Sequence, residues 1–253
     1  MDSMRKTALV AGIFYLITFV SIPTLALYGP VKTDPNFILS VGGDTAILVG
    51  GLLETIVALA GIGTAVALFS VLKRQHEGFA LGLITTRIFE AAVIMIGVSS
   101  ILSVVTLQQV GATGGDAAAL VAVGKAQIAT FNWSFLLGQS LMPALNALLL
   151  GTLMYRSRLV PRILPIVGLI GAPLLLAGTF ATLFGFAEQY GAVSVTAVPI
   201  ALWELSLGLW LTFKGFNRSA PIMVAAAADA GSRDDSTRAV PPVVPVAREG
   251  GVA

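Results

Sequence analysis

The chain has 253 residues, of which 56% are hydrophobic and only 11% carry a charge. A soluble domain has about a quarter charged residues, so this composition excludes a soluble enzyme or a soluble binding domain. The net charge is only +2, and in so apolar a chain it does not indicate nucleic-acid binding. There is no cysteine, which excludes disulfides and thiolate metal sites.

Six apolar runs follow one another along the chain, and each is long enough to cross a bilayer as a helix. The first run follows Arg5 and Lys6, as in a signal peptide, but it is longer than the usual apolar region of a signal peptide and lacks a clear cleavage site. We predict an all-α polytopic membrane protein. Its bundle of six transmembrane helices spans about residues 7–28, 45–72, 79–107, 126–154, 163–186 and 195–213.

Two segments outside these runs have their own composition. Residues 108–125 are rich in small residues and are predicted to form a loop, in which Asp116 caps a short surface helix over residues 117–123. Residues 1–216 form the predicted transmembrane domain. The remaining residues, 217–253, are rich in Ala, Pro, Gly and Ser, and we predict a disordered cytoplasmic tail there.

The distribution of basic residues predicts the orientation in the membrane. Nine lysines and arginines lie near span ends that share one side: Arg5, Lys6, Lys73, Arg74, Arg156, Arg158, Arg162, Lys214 and Arg218. The opposite loops hold only Lys32 and Lys125. Because the cytoplasmic side carries the excess of Lys and Arg, both termini are predicted to be cytoplasmic.

Four ionisable side chains fall inside the spans, where a charge is costly. Counted at a rise of about 1.5 Å per residue from the cytoplasmic ends, Arg87 lies roughly 13 Å deep, Glu90 about 18 Å and Glu204 about 15 Å. Glu54 lies about 27 Å deep, toward the outer half. Arg87, Glu90 and Glu204 therefore share a level, and Arg87 is predicted to reach either acid.

Three acids with one base would leave about two uncompensated negative charges in a medium of low dielectric constant. Protonation of an acid, a bound cation, a cationic ligand or a water-filled cavity would each relieve this imbalance. In the alternative interpretation, Arg87 pairs with one or two acids only to fix the register of the helices.

The fourth apolar run carries an amide every seven residues, at Asn132, Gln139 and Asn146. This spacing predicts one polar stripe facing the bundle interior, used either for hydrogen bonds between helices or as a cavity wall. Pro143 cannot donate to the carbonyl of Gln139, which leaves that oxygen free in mid-membrane. Trp203, next to Glu204, is also predicted to line the cavity.

Glycines predict close helix packing in two places. Gly78 and Gly82 open the third run, and Gly171, Gly178 and Gly185 repeat by sevens in the fifth. These faces suit contact within the bundle, or contact with a membrane-protein partner or a second copy of the chain.

No histidine lies in any span, and the chain lacks the metal, phosphate-binding and nucleophile motifs of known enzyme classes. We therefore predict no catalytic residue, cofactor or metal site. A membrane-embedded enzyme that uses Glu90 or Glu204 as a general base ranks below the two functional hypotheses given at the end of this section. It would need a water-accessible pocket.

Three segments in order carry a family resemblance: Arg-Ile-Phe-Glu-Ala at 87–91, Tyr-Arg-Ser-Arg-Leu-Val-Pro-Arg at 155–162, and Trp-Glu-Leu-Ser-Leu-Gly-Leu-Trp-Leu at 203–211 before Lys214-Gly215. Together they resemble a bacterial membrane-protein family, domain of unknown function 4386, over most of residues 5–216. The resemblance implies an integral protein of a bacterial cell membrane, the inner or plasma membrane. It implies no activity.

The leading functional hypothesis is binding or transport of a small molecule, lipid or ion by the four charged residues Arg87, Glu90, Glu204 and Glu54 around a central cavity. The alternative is a non-catalytic membrane subunit that packs against a partner protein through its glycine faces. In either case the lipid bilayer is a partner, and nucleic acid is not.

Overall fold

The computed structural model describes residues 3–40 and 42–225, without the side chain of Ala112. The described residues form helices and no strand. Six helical segments are long and apolar enough to cross a membrane: Ser3–Leu27, Asp44–Leu72, Glu77–Gly111, Ala117–Ser157, Ile163–Leu183 and Ala192–Phe213. The predicted all-α fold with six transmembrane helices is confirmed.

Nine α-helices and four other helical segments build these spans and their connections within the described residues. The α-helices are α1 (Ser3–Ile17), α2 (Thr24–Leu27), α3 (Gly29–Thr33), α4 (Asp44–Leu72), α5 (Glu77–Ala112), α6 (Ala117–Ser134), α7 (Met142–Ser157), α8 (Ile163–Leu183) and α9 (Val198–Phe213). Three segments are 3₁₀-helical, Thr18–Ser21, Phe37–Leu39 and Ala192–Ala197, and Phe135–Leu141 is π-helical.

The spans form a closed ring in which each packs against its neighbours in sequence. α1 contacts α4, α4 contacts α5, α5 contacts both α6 and α7, and α7 and α8 lead to α9, which packs back against α1. Arg5 fixes this closure, because its guanidinium donates to the last three carbonyls of α9 at 2.6–3.3 Å. A cation at a helix C-terminus satisfies carbonyls that have no partner within the helix.

The prediction of a loop over residues 108–125 is wrong in its extent, although the short helix predicted over residues 117–123 forms the first part of α6. α5 continues to Ala112 and α6 begins at Ala117, so that only a short turn remains. The alanines favour helix, and Leu120 is buried in a second hydrophobic core with Ile38. The predicted cap is confirmed, since the Asp116 carboxylate accepts a hydrogen bond from the backbone N–H of Ala118 at 2.9 Å.

The packed part of the chain extends past residue 216. The backbone N–H of Asn217 donates to the carbonyl of Leu159 at 2.8 Å, and Ala220 is buried in the main core with Met223 packed against it. The rest of the predicted tail, residues 226–253, lies outside the described residues. Disorder there stays a prediction.

Two spans lose regular α-helical backbone at membrane depth. The first span changes to 3₁₀ geometry at Thr18–Ser21, just before Pro23. The fourth changes to π geometry over Phe135–Leu141, just before Pro143. Proline lacks a backbone N–H and disturbs the turn that precedes it. Irregular backbone inside a membrane is tolerated where it is buried in protein or lines a cavity.

Candidate functional site

Arg87 lies at the centre of the bundle and joins two carboxylates from different helices. Its Nη1 donates to Glu90 Oε2 at 2.9 Å within α5, and its Nη2 donates to Glu204 Oε1 of α9 at 2.9 Å. The Arg87 side chain is 4% exposed, and Nη2 also lies 3.4 Å from the Tyr15 hydroxyl of α1. The sequence predicts that Arg87 reaches either acid, and in the structure it contacts both.

Asn146 ties this cluster to the fourth span. Its Nδ2 donates to Glu90 Oε2 at 2.7 Å, and its Oδ1 accepts a hydrogen bond from Thr86 Oγ1 at 2.5 Å. One oxygen of Glu90 therefore accepts from both a guanidinium and an amide. The other oxygen of each acid, Glu90 Oε1 and Glu204 Oε2, accepts no hydrogen bond within the described residues.

A cavity of about 210 Å³ adjoins the cluster. Arg87, Glu90 and Glu204 line one part of it. The two irregular segments also line the cavity. Thr18 and Ser21 come from the 3₁₀ segment of the first span, Gln139 comes from the π-helical segment of the fourth, and Pro143 follows that segment. The other lining residues are all apolar: Phe19, Ile22, Val57, Ala58, Ala91, Ile94 and Ala201.

The cavity thus combines an acid pair, one base and apolar walls. If all three side chains are ionised, the cluster has one positive and two negative charges, and hence a formal charge of −1. An uncompensated charge in a site of low dielectric constant is costly, so the arrangement favours a cation or a proton beside the acids.

A protein-family model described as "Domain of unknown function (DUF4386)" matches residues 10–215, which is most of the chain. The chain belongs to the DUF4386 family. Comparisons with curated proteins and with solved structures each found no match. Membership agrees with the resemblance carried by the segments at 87–91, 155–162 and 203–211. The family description names no activity, and it is the six membrane-length helices that indicate a multi-pass membrane protein.

Glu54 does not join the Arg87 cluster of this DUF4386 protein. Its Oε1 accepts a hydrogen bond from Gln139 Nε2 at 3.4 Å. Its Oε2 and the Tyr28 hydroxyl are both buried without a hydrogen-bond partner in the described part of the chain. The residue count predicts that Glu54 lies nearer the outer half than Arg87. In the structure Glu54 belongs to a separate polar cluster, and Gln139, which lines the cavity, is its hydrogen-bond partner.

Lys32 is the basic residue of this second cluster, and the sequence analysis assigned it only to a loop. Its Nζ lies 3.5 Å from the centre of the Tyr190 ring and 5.5 Å from that of Phe131. Burial lowers the pKa of Lys32 to about 8, and the negative charge of Glu54 partly opposes this shift. The only sequence signal for this role was that Lys32 is one of two cations in the outer loops.

Burial and the charge of Glu54 shift the pKa values of two tyrosines in this region, Tyr28 and Tyr190. Burial raises the pKa of Tyr28, and the charge of Glu54 raises it further. The pKa of Tyr190 is raised in the same way. Both phenols therefore stay protonated. The hydroxyl of Tyr190 donates to Asn132 Oδ1 at 3.2 Å.

Of the four residues predicted to line the central cavity, only Gln139 is among its lining residues. Asn146 instead bonds to Glu90 and Thr86. Asn132 lines a separate cavity together with Lys32, one whose walls come from the second hydrophobic core. Trp203 is buried against Gly168 of α8. The seven-residue spacing correctly predicted that the amides face inward, but the residues reach three different partners rather than one wall.

The glycine repeat of the fifth span is covered by the chain itself. A Cβ at Gly171 would meet Pro199 and Ile200, and a Cβ at Gly178 would meet Thr196. Gly185 has a positive φ of 77° and no such neighbour within 4 Å. The face of Gly171 and Gly178 therefore packs within the bundle and is not free to bind another protein.

No group of three or more His, Cys, Asp or Glu residues able to hold a metal ion occurs in the described part of the chain. The cluster has only two carboxylates, and an arginine already occupies one oxygen of each. The geometry therefore suits a monovalent cation better than a divalent metal, which prefers several oxygen ligands.

Proposed function

We propose that this DUF4386 protein binds a small organic cation in the cavity beside Arg87, Glu90 and Glu204. One observation carries the proposal: two carboxylates share one guanidinium at the edge of a cavity, and each keeps an oxygen to which no described residue donates a hydrogen bond. A ligand with one positive charge would bring the formal charge of the cluster to zero.

The size and lining of the cavity favour an organic cation over a bare metal ion. Its volume of about 210 Å³ is several times the roughly 30 Å³ that a water molecule occupies in the liquid. Small-molecule sites combine mostly apolar walls with a few oriented polar groups. Apolar side chains such as Val57, Ala91 and Ile94 would contact alkyl groups, while Glu90 and Glu204 would face the charge.

The position of the cavity within the membrane supports a role in uptake, export or sensing of the ligand. Ionisable residues within transmembrane segments mark ligand and ion pathways in many membrane proteins. We place the protein in a bacterial cell membrane with both termini in the cytoplasm, on the basis of the family resemblance and of the positive charges counted on one side.

Isothermal titration of the purified protein in a non-ionic detergent tests this proposal. The probe is tetramethylammonium, and tert-butanol is a neutral compound with a similar alkyl surface. We expect saturable heat with tetramethylammonium only, and its loss in Glu204→Gln, which removes the excess charge. Glu188→Gln is the matched control, because Glu188 is an exposed acid away from the cavity, and it should bind as the wild type does.

Two results would overturn the proposal. One is the absence of saturable tetramethylammonium binding by the folded wild-type protein. The other is binding that survives unchanged in Glu204→Gln, because the cluster would then not be the site.

A further inference from the structure

Another cavity, of about 470 Å³, is distinct from the one that Asn132 and Lys32 line and shares a wall residue with the central cavity. The central cavity is the first cavity below and this one is the second. Gln139 lines both cavities. The second cavity lies between the fourth span, α8 and the segment that follows α8, where Thr179, Gln189 and Tyr190 contribute to its walls. No other described residue appears in the lining of both cavities. Gln139 therefore stands between the two spaces.

The bond that holds Gln139 in place is weak. Its Nε2 donates to Glu54 Oε1 at 3.4 Å, which is long for such a hydrogen bond. Gln139 also belongs to the π-helical segment Phe135–Leu141, and π-helical turns occur often at functional sites. A side chain on such a turn, held by one long bond, is suited to moving aside.

Two buried polar groups that the fold itself does not use lie near the partition, Thr179 in the wall of the second cavity and Glu54 beside Gln139. Thr179 is 3% exposed, and its Oγ1 is buried without a hydrogen-bond partner among the described residues. Glu54, at 1% exposed, has an unpartnered oxygen and reaches Gln139 with its other oxygen. Buried polar groups without partners are rare in folded proteins, and each needs an explanation.

We propose that the two cavities are consecutive parts of one path for the organic cation, with Gln139 as the partition between them. The protein then moves its ligand through the bundle rather than only binding it. Glu54 holds the partition closed through its hydrogen bond with Gln139. This inference rests on the proposed function for the class of ligand, although the path can be tested without any ligand.

The experiment uses single-cysteine variants. They can be made directly, because the chain contains no cysteine that would first have to be replaced. Thr179→Cys reports on the second cavity, and Ala58→Cys reports on the first. Each variant is reconstituted in vesicles and treated with a membrane-impermeant trimethylammonium thiosulfonate. The reagent is applied from the side on which Thr179→Cys reacts.

With Gln139 intact, Ala58→Cys should react slowly from that side. Gln139→Ala should raise its labelling rate at least tenfold, and Glu54→Ala should also raise it by releasing Gln139. Ser140→Ala is the matched control, since Ser140 lines only the second cavity and its loss should leave the rate unchanged. An unchanged rate for Thr179→Cys in the Gln139→Ala background shows that the bundle is still folded.

Fast labelling of Ala58→Cys with Gln139 intact would overturn the partition, because the cavities would already be open to each other. Labelling that stays slow in Gln139→Ala, while Thr179→Cys still reacts, would overturn the path. Either result leaves the titration of tetramethylammonium unaffected. The failure of this inference can therefore be told apart from a failure of the proposed function.

Discussion

At the scale of single residues, the protein is organised around one buried guanidinium. Arg87 is 4% exposed, and its two terminal nitrogens donate to carboxylates on α5 and α9. A guanidinium presents a planar fork of donors, which lets one side chain bind two carboxylates at once. Asn146 then supports Glu90 from the fourth span. Removing the base would leave two acids facing each other without a cation.

We predict that Arg87→Ala lowers the free energy of unfolding by about 3–5 kcal/mol, which is the usual cost of removing one partner of a buried ion pair. Arg87→Lys should lose less, because it keeps the charge but not the fork. Unfolding by denaturing detergent in mixed micelles measures both changes. Arg74→Ala, at an exposed position in the turn after α4, serves as control. A loss below about 1 kcal/mol for Arg87→Ala would contradict this account of the cluster.

Lys32 gives a pH dependence with a definite sign. Its pKa is about 8 in the folded protein against an ordinary value of 10.5. Between these values the unfolded chain binds more protons than the folded one, so the stability should rise as the pH rises from 8 to about 10.5. Thermal unfolding in detergent at several pH values measures this rise.

Lys32→Met keeps an unbranched side chain against Tyr190 and Phe131 but removes the titrating group. The rise in stability should become smaller in this variant by the contribution of Lys32. An identical pH profile for the wild type and Lys32→Met would contradict the burial of the ammonium group.

Counting residues along the spans predicted the Arg87 cluster because depth in a membrane helix follows directly from position. The same count put Glu54 deeper, but it could not show that Gln139 would be its partner. The burial of Lys32 against aromatic rings was not predicted, for a different reason. A loop in a membrane protein is expected to be solvated. Here the 3₁₀ turn Phe37–Leu39 packs against α5, α6 and α3, and Lys32 at the end of α3 lies against aromatic rings.

At the scale of elements, the two irregular segments create the space that the charges face. Pro143 allowed the sequence to predict a free carbonyl at Gln139, but not a π-helical segment of seven residues. In the first span, Pro23 was the only sequence feature that indicated the 3₁₀ segment at Thr18–Ser21, and it did not predict that geometry. Both segments line the central cavity, so local backbone geometry and the site are linked.

Glycine contacts between helices provide a matched pair of predictions. A Cβ at Gly168 of α8 would collide with the buried ring of Trp203, whereas a Cβ at Gly82 of α5 would reach Leu149 at an ordinary 3.5 Å. Gly168→Ala should therefore destabilise the bundle by about 1–3 kcal/mol through overpacking. Gly82→Ala should be neutral or stabilise it by up to about 1 kcal/mol, because alanine favours helix over glycine. Unfolding in mixed micelles measures both, and equal effects would contradict the packing of α8 against α9.

The error over residues 108–125 also belongs to this scale. Small residues, two adjacent glycines and an aspartate resemble a loop in isolation. In the fold, the end of α5 and the start of α6 bury Val105 and Leu120 against Ile38 and Tyr28. The second hydrophobic core joins the ends of the predicted spans to Leu120 and Ile38 outside them. The contribution of residues 108–125 could not be predicted, because that stretch has only a few large apolar residues.

At the scale of the whole molecule, the closed ring places one site at the meeting point of several spans. Arg87 and Glu90 come from the third span, Gln139 from the fourth and Glu204 from the sixth. The apolar runs predicted the number of spans and thereby the fold class. They could not predict that the sixth span packs against the first, which the contacts of Arg5 with the end of α9 make visible.

The orientation in the membrane is a further prediction at this scale. Nine basic residues on one side against two on the other predict that both termini are cytoplasmic. Reporter fusions that are active only in the cytoplasm should be active when joined after residue 76 or after residue 160, and inactive when joined after residue 115. The reverse pattern would contradict the predicted orientation without affecting the fold.

The central claim is that the paired acids of one cavity, in excess over Arg87, hold an organic cation. The most direct measurement is anomalous scattering from crystals soaked in tetramethylarsonium, the arsenic analogue of tetramethylammonium. The account predicts an arsenic peak in the cavity beside the carboxylates of Glu90 and Glu204, and no such peak in Glu204→Gln. A cavity without arsenic in the wild type, or an equal peak in both proteins, would contradict it.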